Sequence, residues 1–170
     1  MATYAPLLQG IAIAGSVYNA GTMTTAYRLL PTIYASVQRS PRAAAGQWEF
    51  FYWSLSATVP IVDLATIVSV GSLAYVEYKE NSTGLAWKIW ATAAGIMPIG
   101  WVWVRRVMLT PSNKLLALAK PSPAEAETKN RDSLQQRTIE LLKEFNSQMG
   151  VRMMFPWVVG GLALWASLGL

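Results

Sequence analysis

One long apolar stretch, from Trp48 to Lys79, constrains this chain more than any other feature. Between Phe50 and Val76 it contains a single charged residue, Asp63. About 20 apolar residues are enough to cross the hydrocarbon core of a bilayer. A carboxylate inside such a segment costs roughly 2.5–3.5 kcal/mol on insertion scales, and is tolerated where it faces a bundle interior or a wet cavity. The stretch therefore predicts a membrane protein with an interior site at Asp63.

The composition agrees with a membrane protein. Of the 170 residues, 53% are hydrophobic and 14% are charged, whereas about 25% of residues are charged in an ordinary soluble domain. The charges are clustered and leave long neutral runs. We therefore predict an all-α fold in a single domain, residues 1–170, built as an integral membrane bundle of four antiparallel helices.

Apolar runs and helix breakers predict the bounds of these helices. The transmembrane helices are expected at about 6–27, 48–78, 85–108 and 151–170, with a helical segment at 110–150 on the cytoplasmic side. Residues 28–46 are interpreted as a connection, because Pro31 and Ser40-Pro41 interrupt helical continuity. Thr110-Pro111 is typical of a helix start, and Ser122 with Glu125 resembles a capping box. The amphipathic helix after it either lies at the surface or continues into the last span.

Basic residues determine the predicted orientation. The net charge is +5, but the Lys and Arg residues flank apolar spans, where topology and lipid headgroup contacts explain them better than nucleic acid does. The loop after the first helix and the segment after the third carry most of them. Because positive loops stay cytoplasmic, both termini are expected on the lumenal or exterior side, and the expected location is the endoplasmic reticulum or another endomembrane.

The absence of Cys and His excludes several kinds of chemistry. It removes disulfides, thiolate nucleophiles and Ser-His-Asp catalysis, together with His-ligated haem and the usual zinc and copper sites. Any chemistry must use carboxylates, phenols, hydroxyls, amides, Lys or Arg. A hard metal held by carboxylates stays open, but no motif favours one, so no metal or organic cofactor is expected.

A polar stripe follows one face of the second helix and marks a candidate site. Its members recur at helical spacing: Glu49, Tyr52, Ser56, Pro60, Asp63 and Thr66. Glu49 and Asp63 lie 14 residues apart, or roughly 21 Å along a helix, so they cannot form one acid–base pair. On the first helix, Asn19 belongs to a second polar face. A purely structural role for Asp63, as partner of an Arg or of hydroxyl groups, stays open.

Three patches carry a family resemblance. In Gln47-Trp48-Glu49-Phe50-Phe51-Tyr52, a Trp is followed by three residues and a Tyr. Met108 to Leu115 is similar to a Thr-Asn-x-x-Leu stretch, with Ser112-Asn113 at the Thr-Asn positions. Arg152 and Pro156 have Arg-x-x-x-Pro spacing before a glycine-containing span. In this order the patches resemble the small four-helix membrane family that contains the fungal anthrone oxygenases. The chain departs from the family at four positions: Phe50 replaces a His, Phe145 a Trp, Met149 an Asn and Ser112 a Thr.

The resemblance implies a membrane tailoring enzyme of aromatic polyketide biosynthesis. Anthrone oxygenation needs neither metal nor flavin: a base removes a proton from an activated aromatic substrate, and the carbanion reacts with molecular oxygen, the co-substrate. Such a site needs a dry pocket, a base and a donor for oxyanion charge. The candidates are catalytic Asp63, Glu49, Tyr52 and Arg152, and substrate-binding Trp48, Trp53, Asn113 and Asn19.

Two other functions stay open at this point. The same residues could carry out an oxygen-independent cyclisation, isomerisation or epoxide opening of a polyketide or terpenoid intermediate, with Asp63 or Glu49 as the acid. A non-enzymatic membrane scaffold, with 110–150 as its docking surface, is the third. The expected partners are an apolar small molecule and the lipid bilayer, with a second copy of the chain or other pathway enzymes also considered.

Overall fold

Helices make up almost all of the protein in the computed structural model, which describes residues 4–120 and 131–169. The prediction of an all-α fold is confirmed. In chain order the elements are α1 (Ala5–Arg39), α2 (Pro41–Glu80), α3 (Ala86–Trp103), a π-helical turn (Val104–Met108), α4 (Leu109–Ala119) and α5 (Arg131–Leu168).

Four of these helices form an antiparallel ring. α1 packs against α2 and α5, and α3 packs against the same two neighbours, so that α1 and α3 face each other across the bundle. α4 extends the line of α3 beyond the π-helical turn and packs against α2 and α5. Short connections explain this order, because helices joined by few residues must run side by side in opposite directions.

The connection between α1 and α2 is a single residue, Ser40. Its backbone is extended, and its Oγ accepts a hydrogen bond from the Ala43 N–H at 3.2 Å. Pro41 follows at the first helical position, where its missing N–H costs nothing. The predicted break at Ser40-Pro41 is therefore confirmed, whereas the break at Pro31 is wrong. Pro31 lies inside α1, because Leu30 and Val37 on either side are fully buried against the other helices.

The predicted helix start at Thr110-Pro111 is also wrong. α4 begins at Leu109 directly after the π-helical turn, without a side-chain cap. A π-helical turn shifts the backbone hydrogen bonds from i−4 to i−5, and here the Leu109 N–H bonds to the Val104 carbonyl. The missing N–H of Pro111 therefore falls where the helical ladder is already irregular, and the chain continues in a helical path.

The last helix is one continuous element of 38 residues. Of the two predicted arrangements for the amphipathic segment, continuation into the last apolar span is confirmed. The helix therefore begins at Arg131, well before the predicted span at 151–170. The Arg131 guanidinium donates to the Gln38 and Arg39 carbonyls at 3.5 and 3.0 Å, which fastens its start to the end of α1. The predicted capping box at Ser122 lies outside the described residues.

Two hydrophobic clusters lie one above the other along the bundle. The cluster nearer Ser40 contains large side chains: Met23, Leu30, Val37, Trp48, Val59, Met108, Leu115, Leu141, Leu142, Phe145 and Met149. The cluster at the opposite end is richer in alanine: Ala12, Val70, Leu73, Trp90, Ala93, Met97, Val159 and Ala163. Along α1, α2 and α5 the residues between the two clusters include the buried Asn19 and Asp63 and the partly buried Arg152.

The outer surface of the bundle is apolar. Two helices, Pro41–Glu80 and Arg131–Leu168, are long and apolar enough to cross a membrane, and only 33% and 17% of their most apolar windows are buried. A core helix of a soluble protein would bury most of such a window. α1 and α3 do not reach the same mean hydropathy among the described residues, since α3, for example, carries four Trp and Lys88. Large apolar side chains are nevertheless exposed on all four helices, among them Leu7, Val17, Leu29, Ile61, Leu64, Val68, Ile99, Val102, Trp157, Val158 and Leu164.

Candidate functional site

Asp63 is the meeting point of four helices. Its carboxylate accepts a hydrogen bond from the Asn19 side-chain amide of α1 at 2.6 Å and another from the Trp101 indole N–H of α3 at 3.0 Å. The Arg152 guanidinium of α5 lies 3.6 Å from the carboxylate. Asp63 is 3% exposed and Asn19 is fully buried. The carboxylate thus has two neutral donors and one cation, which is the environment that a buried charge requires.

Antiparallel pairing brings these residues to the same level. Asn19 lies 21 residues before the Ser40 connection and Asp63 lies 23 residues after it. Asp63 also lies 20 residues before Thr83, in the next connection, and Trp101 lies 18 residues after it. Because every residue rises 1.5 Å along a helix, residues nearly equidistant from a tight connection end up side by side. The polar cluster is therefore built into the helix lengths.

Small residues allow the helices to approach closely beside the cluster. A methyl group at Gly15 would overlap Thr66 Oγ1, and one at Gly160 would lie 3.3 Å from Ser16 Cβ. The Ser16 and Thr66 hydroxyls donate to carbonyls of their own helices, at Ala12 and Val62. Such satisfied hydroxyls and glycines are typical of helix interfaces in membranes. They hold α1 against α2 and α5 one turn away from Asp63.

The main cavity lies next to the cluster, on the Ser40 side. Its volume is about 120 Å³. Side chains from α1, α2, the π-helical turn, α4 and α5 line it, and most of them are apolar: Met23, Leu55, Val59, Pro60, Val104, Met108, Leu109, Phe145 and Met149, with Tyr52, Ser56, Ser112 and Arg152 as the polar members. The cavity combines an apolar wall with a few polar groups, as small-molecule sites usually do.

The polar side chains of the cavity wall differ in whether they already have hydrogen-bond partners within the protein. Ser112 is buried, and its hydroxyl donates to the Met108 carbonyl at 2.6 Å. Tyr52, Ser56 and Arg152 make no side-chain hydrogen bond to another described residue; the nearest partner of Arg152 is Asp63, at 3.6 Å. A guanidinium has five N–H donors and no acceptor. The cavity therefore presents unused donors, with a fixed positive charge at one end.

Aromatic packing fixes the position of Tyr52. Its ring stacks on Trp48 with centroids 5.1 Å apart, and Trp48 meets Phe145 edge to face at 5.2 Å. Trp48 is fully buried, and its indole N–H has no partner among the described residues. Trp48 is not itself in the cavity wall; it lies behind Tyr52 and Phe145 and supports both.

Three predicted site residues lie away from the cavity. Glu49 accepts a hydrogen bond from the Trp53 indole at 3.4 Å, and Trp53 is 56% exposed on the outer surface of α2. Asn113 is exposed on α4, and its neighbour Ser112 points inward instead. Because each residue of a helix is rotated by about 100° from the one before it, Trp53 points away from the side of α2 on which Tyr52, Ser56 and Pro60 line the cavity.

Asp63 borders a second, much smaller cavity of about 10 Å³, which shares Met23 and Arg152 with the main one. That volume suffices for about one water molecule and no organic substrate. Arg152 therefore stands between Asp63 and the main cavity. Within residues 4–120 and 131–169, no three acidic side chains come together in a way that could hold a metal ion.

Trp101 is the partner of Asp63 that the sequence interpretation missed. Its position near Trp103 is typical of an aromatic belt at a membrane interface, and the ring is indeed 39% exposed. The indole N–H nevertheless points inward to Asp63. A Trp in an apolar segment needs a partner for its N–H, and the nearly equal distances of Asp63 and Trp101 from Thr83 in the sequence would have identified that partner.

No protein-family model, curated protein or solved structure matches this chain in comparisons with known proteins. The resemblance to the anthrone oxygenase family therefore stays a prediction that depends on the quoted motifs.

Proposed function

We propose that this protein is a multi-pass integral membrane protein whose four long helices all cross the bilayer. The exposed apolar side chains support this proposal, because they occur on α1, α2, α3 and α5 alike. Soluble monomers rarely expose contiguous apolar patches larger than a few hundred Å². The group formed by the buried Asn19 and Asp63 and the partly buried Arg152 also fits a bundle in lipid, where charged side chains face inward and pair with one another.

Within that bundle, the main cavity is a binding site for an apolar aromatic molecule that carries one acidic oxygen. The observation that carries this proposal is the state of Arg152: it lines the cavity, it makes no hydrogen bond to a described residue, and Asp63 holds it from behind. Preorganised donors aimed at developing oxyanion charge are the strongest contribution that such a site can make to a reaction. Tyr52, next to Arg152 in the wall, is the second donor.

The proposed activity is the cofactor-independent oxygenation that the family resemblance implies. In the substrate, an activated CH₂ group loses one proton to water as the enolate forms, and Arg152 and the Tyr52 hydroxyl donate to the enolate oxygen and stabilise its negative charge. The carbanion forms a C–O bond with molecular oxygen. Cleavage of the O–O bond with loss of the second hydrogen then gives a carbonyl group and water, so that a CH₂ and O₂ become a C=O and H₂O.

Asp63 has a different role in this proposal from the one expected of it. It does not line the main cavity, and Arg152 separates it from any substrate there. Asp63 is therefore a positioning residue, which holds the guanidinium at the end of the cavity. Glu49 has no part in the proposed chemistry, because it lies outside both cavities.

Turnover of an anthrone-type phenol by purified protein in lipid nanodiscs, with and without oxygen, tests this function. The expected product appears only with oxygen and has one additional oxygen atom and two fewer hydrogens than the substrate. Its new carbonyl oxygen should carry ¹⁸O when the reaction is run under ¹⁸O₂. An ¹⁸O-free product, or no reaction beyond that of empty nanodiscs, would remove the oxygenase proposal.

An oxygen-independent isomerase or cyclase is the second candidate, and one observation favours it. The only ionisable groups among the cavity residues are a phenol and a guanidinium, which suffice for proton transfer and oxyanion stabilisation without an oxidant. The same experiment separates the two candidates, since the second predicts a product of unchanged mass that also forms under argon.

A further inference from the structure

We propose that the main cavity opens sideways into the membrane, through a gap between α2 and the π-helical turn, and that its ligand enters from the lipid with the acidic oxygen leading. This inference deepens the proposed function and depends on it for the class of ligand. The location of the opening and its environment follow from the bundle itself and can be tested without any turnover.

The gap is a feature of the backbone. Among the described residues, no Cα atom of Val104–Met108 lies within 8 Å of a Cα atom of α2, although α2 packs against α3 on one side of the turn and against α4 on the other. The two cavity residues of α2 that face the gap, Ser56 and Pro60, are exposed at the surface. The cavity wall is thus interrupted where the π-helical turn stands away from α2.

Two polar groups of Ser56, its carbonyl and its hydroxyl, lie at the rim of the gap in an otherwise apolar surface. A proline has no N–H for the carbonyl four residues before it, so Pro60 leaves the Ser56 carbonyl without its helical partner. The Ser56 hydroxyl lies at the same place. Together they offer an acceptor and a donor to a phenol that passes from lipid to Arg152. The side chains around them, Leu55 and Val59, are apolar.

The gap lies at the boundary between acyl chains and headgroups. Ser56 precedes Val76, the last residue of the apolar stretch before Glu77, by 20 residues, which is about 30 Å of helix. That length equals the thickness of the hydrocarbon core, ~30 Å. The exposed Arg105 and Arg106 of the π-helical turn lie at the same end, as expected of residues that contact headgroups. An amphipathic phenol accumulates at this depth.

The cavity volume determines how much of the ligand is enclosed. An apolar cavity of ~150 Å³ holds one benzene molecule, and this cavity measures about 120 Å³. This smaller volume has room for at most a single ring. Since Arg152 lies at the inner end, beside the smaller cavity, the ring with the acidic oxygen occupies the cavity and any further rings remain in the gap, in contact with lipid.

The absence of Cys from the chain makes a direct test straightforward. A bimane fluorophore is attached to the single-cysteine variant Ser56→Cys in nanodiscs, with phosphatidylcholine brominated near the top of its acyl chains as quencher. Leu64→Cys, on the exposed outer face of α2, is the lipid-facing control, and Asp132→Cys, at the exposed start of α5, is the aqueous control. We expect quenching at positions 56 and 64 and none at 132. No quenching at 56, with position 64 quenched, would overturn the lateral opening.

Blocking the gap tests its use as the entrance. Ser56→Trp fills the rim, and Ser54→Trp places the same side chain on the same helix at an exposed position outside the cavity. Binding of 2-naphthol to loaded and empty nanodiscs is compared by equilibrium dialysis. We expect Ser56→Trp to weaken binding at least about tenfold, or about 1.4 kcal/mol, and Ser54→Trp to leave it unchanged. Equal binding by both variants, or no binding by the unmodified protein, would overturn the inference.

These outcomes are independent of the oxygenase proposal. If both tests succeed but no substrate is turned over, the lateral binding site is supported and the proposed reaction is rejected. If the protein oxygenates its substrate but position 56 shows no lipid contact, the proposed reaction is supported and the lateral entrance is rejected.

Discussion

At the scale of single residues, Asp63 and Arg152 form a buried pair in which each side chain depends on the other. Their side chains are 5% and 15% exposed, so neither charge can be solvated by bulk water when its partner is removed. Breaking a buried pair by removing one member typically costs about 3–5 kcal/mol, whereas replacing both members with apolar residues of similar size is often neutral. The pair therefore makes a clear prediction.

We expect Asp63→Leu and Arg152→Met each to lower the free energy of unfolding by about 3–5 kcal/mol. The double variant should lose far less free energy of unfolding than the two single variants lose together, because no unpaired charge remains. Reversible unfolding in mixed micelles is measured for the unmodified protein, the two single variants and the double variant, which together form a double-mutant cycle. Additive losses in the double variant would mean that the two side chains act independently, and would contradict the ion pair.

Tyr52 allows chemistry to be separated from stability. Its hydroxyl makes no hydrogen bond to another described residue, whereas its ring stacks on Trp48. Tyr52→Phe keeps the ring, and we expect unfolding to be unchanged while turnover falls by about 10²–10³-fold, the usual effect of removing one donor to a developing oxyanion. Tyr75→Phe, on the exposed face of the same helix, is the control and should retain full activity. Retained activity in Tyr52→Phe would remove Tyr52 from the reaction.

At the scale of helices, close packing of α1 against α2 depends on Gly15, where a methyl group would overlap Thr66 Oγ1. Gly15→Ala is expected to destabilise the protein by about 1–3 kcal/mol through overpacking, and adding Thr66→Ala should recover most of the loss. Gly10 lies on the same helix with open space around it, so Gly10→Ala should stabilise by about 0.5–1 kcal/mol. Thermal unfolding of these three variants and of the unmodified protein is the measurement. Equal effects at the two glycines would contradict the helix contact.

Element boundaries show where sequence reasoning succeeds and where it does not. The apolar runs correctly predicted four long helices, and the Ser-Pro pair at 40–41 correctly predicted the first connection. Pro31 and Pro111 were misinterpreted because a proline ends a helix only when packing does not continue past it, and packing is a property of the neighbours. The position of Tyr52, Ser56 and Asp63 on one face of α2 was predictable from helical spacing. The exposure of Trp53 and Asn113 was not, because the exact rotation of each helix depends on the other three.

At the scale of the whole molecule, the exposed apolar surface and the clustered charges predict one orientation. Asp132, at the start of α5, and Ser82, in the connection between α2 and α3, are both exposed and lie at opposite ends of the bundle. In sealed membrane vesicles, a membrane-impermeant thiol reagent should label Asp132→Cys from the cytoplasmic side only and Ser82→Cys from the other side only. Labelling of both variants from one side would contradict the antiparallel membrane bundle.

The single-residue link at Ser40 has a consequence for how the protein is made. α1 and α2 are synthesised first and can leave the ribosome as a finished hairpin, and that hairpin already contains the hydrogen bond between Asn19 and Asp63. The carboxylate therefore meets its first partner before Trp101 and Arg152 exist as peptide. Trp101 then adds a second neutral donor and Arg152, on the last helix, adds the positive charge, so the carboxylate gains its partners in the order in which the chain emerges.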